Sequence, residues 1–139
     1  MKSFAIRLVT AGGLIAIVAA NTWAQSASQP AQPRFGGSEM FGRYCATCHG
    51  ARAIGDGPLA AMLRKPPANL TLLALKNGGV FSGEMVSRII DGRKPLAGHG
   101  GGDMPAWGDA FGRSSDGPDT TPDKIAALVN YLESIQQKP

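Results

Sequence analysis

Apolar residues recur at helical spacing in three stretches of this chain, and no stretch alternates apolar with polar in the period-two manner of a strand. The clearest stretch is the last. Ile125, Leu128, Val129, Leu132 and Ile135 form one stripe, behind Thr121 as a cap, Pro122 at the first helical position and Asp123 near the positive end. A second helix is predicted over 83–90, with Ser82 as its cap and Gly92 as its stop. Met85 and Ile89 share one side of it, as do Val86 and Ile90. A third is predicted over 38–45, capped by Ser38 and with Glu39 in its first turn; Phe41 and Tyr44 lie near one face, and Cys45 follows on the Phe41 side. Between these, Gly55-Asp56-Gly57-Pro58, Lys65-Pro66-Pro67, Asn77-Gly78-Gly79 and the glycine-rich stretch 98–102 break regular structure. Short helices fit between the breaks, over 59–64 and around 70–76. The fold class is all-α. Helices this few and this short do not enclose a self-sufficient core.

The chain opens differently. Lys2 and Arg7 precede thirteen uncharged residues, 8–20, rich in Leu, Ile, Val and Ala. Thr22-Trp23-Ala24 then supplies small residues at the first and third positions of a cleavage site, which completes a secretory signal peptide over 1–24. The apolar run falls short of the roughly 20 residues of a membrane helix; an uncleaved anchor is the alternative. No second long apolar segment follows, so no membrane span is expected once the signal is removed. Residues 25–35 hold Gln, Ser, Ala and Pro without an apolar period and read as a flexible leader. Taking 24 residues from 139 leaves 115, enough for one small domain, placed here at 36–137. The expected location is the periplasm.

Charge changes the picture little. Of the net +4, Lys2 and Arg7 belong to the signal, which leaves 12 basic against 10 acidic residues, or +2. That surplus is too small to argue for nucleic acid binding. The bases gather between Arg34 and Lys94, and Asp103, Asp109, Asp116, Asp119 and Asp123 come later. A mixed, solvated surface accounts for this, and so does a basic face that steers an acidic partner.

The candidate chemistry lies in Cys45-Ala46-Thr47-Cys48-His49, which holds the only two cysteines of the chain. The C-x-x-C-H spacing is that of a covalent c-type haem attachment site, with Cys45 and Cys48 as the thioether donors and His49 as an axial ligand of the iron. A single such run implies one haem c. In an exported protein the two thiols could instead form a redox-active disulfide. That pair normally opens a helix inside a βαβ pattern, and no such strands are predicted. A buried porphyrin also supplies the apolar surface the helices lack, so the haem-free chain is expected to fold poorly.

A second axial ligand must come from the far side. Met40 is too close to Cys45 on the same helix to reach around the ring. Met62, on a short helix, and Met85, on an apolar helical side, are expected to pack. Met104 lies in a loop, after Gly100-Gly101-Gly102-Asp103 and before Pro105, 55 positions beyond His49. Such a loop is able to carry a thioether across the haem edge. His99, flanked by Gly98 and Gly100, reads most simply as an exposed loop histidine; it and an exchangeable sixth position are the alternatives to Met104.

These residues resemble a class I cytochrome c over about 37–135. Gly37-x-x-x-Phe41 resembles the family's first-helix motif, whose small residue lets the last helix cross closely, and Tyr131 falls where the family places its partner aromatic. Met104-Pro105-Ala106-Trp107-Gly108 resembles the bacterial axial-methionine segment. Lys65-Pro66-Pro67-Ala68-Asn69-Leu70 resembles a segment near the haem edge in bacterial members. The resemblance implies three main helices plus short helices and loops around one covalent haem. It implies His49 and Met104 as iron ligands, and the Pro58 carbonyl, after Gly57, as acceptor of the axial imidazole N–H. Trp107 either packs on the ring or belongs to ordinary core. Arg52, Arg64 and Arg93 are candidates for a propionate, none singled out. The implied function is one-electron transfer between redox protein partners docking transiently at the haem edge. Two alternatives stand beside it: a haem-bearing subunit of a larger dehydrogenase or oxidase, and a haem enzyme or gas sensor with an exchangeable ligand.

Overall fold

The computed structural model describes residues 34–94 and 103–138. The expected signal peptide, most of the leader and His99 lie outside the described residues. Every regular element among the described residues is helical, with no strand among them. In order come α1 (Gly37–Tyr44), α2 (Ala46–His49), 3-10 turns at Ala60–Met62 and Leu70–Leu72, α3 (Leu73–Lys76), α4 (Gly83–Asp91), α5 (Trp107–Gly112), a third 3-10 turn at Pro118–Thr120, and α6 (Thr121–Ser134).

The apolar stripe of α6 lies at the centre of the core formed by the described residues. Ile125, Leu128 and Leu132 are buried, with Val129 and Ile135 half-buried beside them. Met40 and Phe41 of α1, Val86 and Ile90 of α4, and Phe111 of α5 close over this stripe. Phe35, on the leader side of the expected boundary, packs against the same cluster. Its ring, with that of Phe111, lies against the ammonium of Lys124, at 5.2 and 5.7 Å. Lys124 is buried on α6 because Asp116 and the Ser114 hydroxyl also meet its Nζ, at 2.8 and 2.7 Å. A buried ammonium needs such partners.

The crossing of α1 and α6 rests on Gly37. A Cβ there would collide with the Ala127 carbonyl oxygen and come within 2.8 Å of the Tyr131 Cβ. One turn further on, the Phe41 and Tyr131 rings pack at 5.3 Å between centroids. Gly37→Ala is therefore expected to cost about 1–3 kcal/mol by overpacking, read as a lowered denaturation midpoint of the haem-loaded protein.

Helix ends separate the local from the tertiary signals. For α4, Ser82 accepts from the Met85 N–H at 3.4 Å, and Gly92 stops the helix in the left-handed region at φ +66°. The other two caps differ from expectation. Gly36, in extended backbone and without a side-chain bond, precedes α1, so Ser38 lies inside the helix. Thr121 is the first residue of α6 rather than its cap, because the Pro118–Thr120 turn runs straight into the helix. That turn is closed by the Thr120 hydroxyl, which donates to the Gly117 carbonyl at 2.9 Å.

Short elements are held from outside. After α6, Gln136 accepts from the Ala74 N–H at 2.9 Å and donates to the Leu70 and Leu132 carbonyls at 2.7 Å each. The C-terminal segment thereby ties α3 and the turn before it to the last helix. α5 has no counterpart among the predicted helices. It contains two glycines and persists through the burial of Gly108 and Phe111.

Candidate functional site

Cys45 ends α1 and begins α2, so the C-x-x-C-H run is a single helical turn. The N–H groups of Cys48 and His49 both donate to the Cys45 carbonyl, at 3.1 and 2.9 Å. Positions i, i+3 and i+4 of a helix lie on one side. The turn therefore carries both thiols and the imidazole on a common face, all three half-buried. Both cysteines are free thiols. Burial, with the neighbouring Cys48 adding to it, pushes the Cys45 thiol up to about 11, so it holds its proton at neutral pH.

The carbonyls at the end of α2 are satisfied by a segment running beneath it. Gly55, Gly57 and Leu59 donate to His49, Cys48 and Thr47 in turn, at 2.8, 3.1 and 3.0 Å. Every second N–H is used, so Pro58, which has none, fits between two donors. Gly57 is required by proximity: a Cβ would sit 2.5 Å from the Thr47 oxygen and 2.6 Å from that of Cys48.

The acceptor for the imidazole differs from the expected one. His49 Nδ1 lies 3.1 Å from the Ala68 carbonyl, so Nδ1–H donates there and not to Pro58. The Gly57-Pro58 pair is engaged under α2, and the chain returns to His49 only after Pro66-Pro67. Leu70 N–H, bonded to the Ala53 carbonyl at 2.8 Å, holds that return in place. With Nδ1 protonated, the Nε2 lone pair is left to bind a metal. Burial lowers the His49 pKa, and the Ala68 bond opposes this more weakly, so the neutral, ligating form is favoured.

The thioether candidates separate by exposure. Met40 is buried in the core at 7 %, whereas Met62, Met85 and Met104 are 79, 38 and 37 % exposed. The packing expected of Met62 and Met85 is not observed. Met62 lies on one exposed 3-10 turn, and on α4 Val86 and Ile90 take the buried side. Met104 sits in a bend just before α5, as expected of a loop residue. Trp107 opens α5 within an aromatic cluster: it stacks on Phe111 at 5.5 Å and meets the edge of Tyr44 at 5.5 Å. The three arginines considered for a propionate each meet a carboxylate: Arg52 with Asp56, Arg64 with Asp103, and Arg93 with Asp91.

The donor set suits haem c. Two free thiols and an imidazole share one helical face, and Leu59, Met62, Met85 and Met104 expose apolar surface. Among the described residues no group of three His, Cys, Asp or Glu side chains gathers to hold a bare metal ion.

Comparison with known sequences agrees. The family described as Cytochrome c matches residues 36–136. The chain belongs to the cytochrome c family. Its cofactor is a covalently bound haem c, and its chemistry is haem-based electron transfer. The chain is also similar to the Cbb3-type cytochrome c oxidase subunit FixP of Azorhizobium caulinodans, 33% identical over 99 residues. The match takes in 71% of this chain and 26% of that protein, so the cytochrome spans about a quarter of its relative. No solved structure matches. No helix among the described residues is long and apolar enough to cross a membrane.

Proposed function

We propose that this cytochrome is a one-electron carrier of the periplasm, with haem c held by Cys45 and Cys48 and iron held by His49 and Met104. The domain is taken as 36–137, behind a signal peptide at 1–24 and a leader at 25–35. The observation that carries the reading is the His49 Nδ1–H bond to Ala68 on a turn that shows both thiols to the same side.

The chain's residues divide the work. Cys45 and Cys48 would hold the haem through thioether bonds, each thiol giving its S–H across a vinyl group, which needs no oxidant. The raised pKa of Cys45 keeps that proton in place beforehand. The Ala68 carbonyl fixes the imidazole tautomer and ring direction and makes Nε2 more basic. Met104 brings a weak thioether donor, which favours ferrous iron and a high potential. The bound haem supplies the one-electron couple. With His49 and Met104 both holding the iron, no position would remain for a substrate, which separates a carrier from a gas-binding enzyme or sensor. Carbon monoxide added to the reduced protein distinguishes them: slow binding, limited by release of Met104, fits the carrier, and immediate binding contradicts it.

The likeness to FixP favours a second reading, in which the domain is the haem-bearing part of an oxidase assembly. Size-exclusion chromatography of the native protein separates an assembly from a free shuttle.

A further inference from the structure

We propose that Arg64, Asp91 and Arg93 are positioning residues for the Met104 segment, forming a clasp with one packed end and one salt-sensitive end. The inference rests on Met104 as the axial ligand. Its geometry brackets that residue closely, with one anchor at Asp103 and the other at Ala106 and Gly108.

The packed end is the C-terminus of α4. Asp91 Oδ1 accepts from Arg93 Nε at 2.7 Å and from the Arg93 backbone N–H at 3.2 Å, while Oδ2 accepts from the second guanidinium nitrogen at 2.7 Å. This two-pronged pair folds the chain sharply around Gly92. The chain after Met104 lies directly on that fold. A Cβ at Gly92 would stand 2.8 Å from the Ala106 Cα. A Cβ at Gly108 would stand 2.5 Å from Arg93 Nε and 2.6 Å from Asp91 Oδ1. The seat is thus a close backbone fit against a two-pronged ion pair whose partners, two positions apart and joined also by a backbone bond, stay together when salt screens them.

The other end has a different character. Arg64 Nε reaches Asp103 Oδ1 at 3.1 Å and joins chain 39 positions apart, immediately before Met104. The Arg64 side chain is 77% exposed and that of Asp103 is 23% exposed. A single pair so placed is screened by salt over about 8–10 Å. Its rupture frees the near side of Met104 while the far side stays seated. The axial bond should then open more often at high ionic strength.

Carbon monoxide binding to the reduced, haem-loaded protein reads that opening, because the ligand is neutral and salt leaves its approach unchanged. In the natural protein the rate is expected to rise about two- to fivefold from low to high salt, the range set by one surface ion pair. Arg64→Gln should show the high rate at all salt concentrations, and Arg64→Lys should restore the salt dependence. Gly108→Ala should raise the rate at every salt concentration by dislodging the seat. If Arg64→Gln matches the natural protein at each concentration, the clasp is refuted. If Met104→Ala binds carbon monoxide no faster than the natural protein, the axial assignment fails instead, whatever the arginine variants do.

Discussion

Replacing Cys45 and Cys48 together with alanine should yield a colourless, poorly folded chain, the largest effect expected of any change considered. Both attachment points are lost, and no other covalent link supports the fold. Among the described residues the largest fully buried side chains are Phe41 and Leu128, and several large apolar side chains stay exposed. A small domain with so limited a core depends on additional apolar surface or cross-links. Binding that favours only the folded form adds stability by mass action, and covalent attachment makes it permanent. Cys45→Ala or Cys48→Ala alone should retain one thioether and a reduced yield of coloured protein. Acid extraction shows whether haem stays attached, and the position of the pyridine haemochrome band reads the number of thioether bonds left. A double variant that keeps covalently bound haem at full yield contradicts the attachment assignment.

Met104→Ala should abolish the thioether–ferric charge-transfer band and lower the reduction potential by about 0.1–0.2 V, a fraction of the ≈ 0.8 V that axial ligation spans across haem proteins. The direction follows from donor strength. A thioether is a weak donor that favours ferrous iron, and its replacement by water or a stronger base favours ferric. Met62 and Met85 are the internal controls, since both expose a thioether elsewhere. An unchanged spectrum in Met104→Ala together with a lost band in either control would transfer the ligand role.

The reach of the sequence follows the physics of each signal. Ser82, the Val86/Ile90 pair and Gly92 act within a few positions of one another, and α4 appears within a residue of its expected bounds. The α6 stripe is local in the same way. Its start differs by one residue from the expected one because the Pro118–Thr120 turn, not a side-chain bond, leads in. α5 left no periodic trace, since its two glycines are poor helix formers and tertiary packing holds it. In the site, the C-x-x-C-H run was legible because its chemistry resides in side chains at fixed spacing. Ala68 was not, because a backbone carbonyl carries no side-chain signature, although Pro66-Pro67-Ala68 itself stood out. The exposure of Met62 and Met85 escaped for a related reason: an apolar position tells of burial only when some element packs against it.

The most direct test is the pyridine haemochrome spectrum of the full chain, exported from a host competent for c-type maturation, measured after acid extraction. The account predicts one non-extractable haem per chain, with the spectrum of two thioether bonds. Haem that washes out in acid, or a protein that never acquires colour, contradicts it.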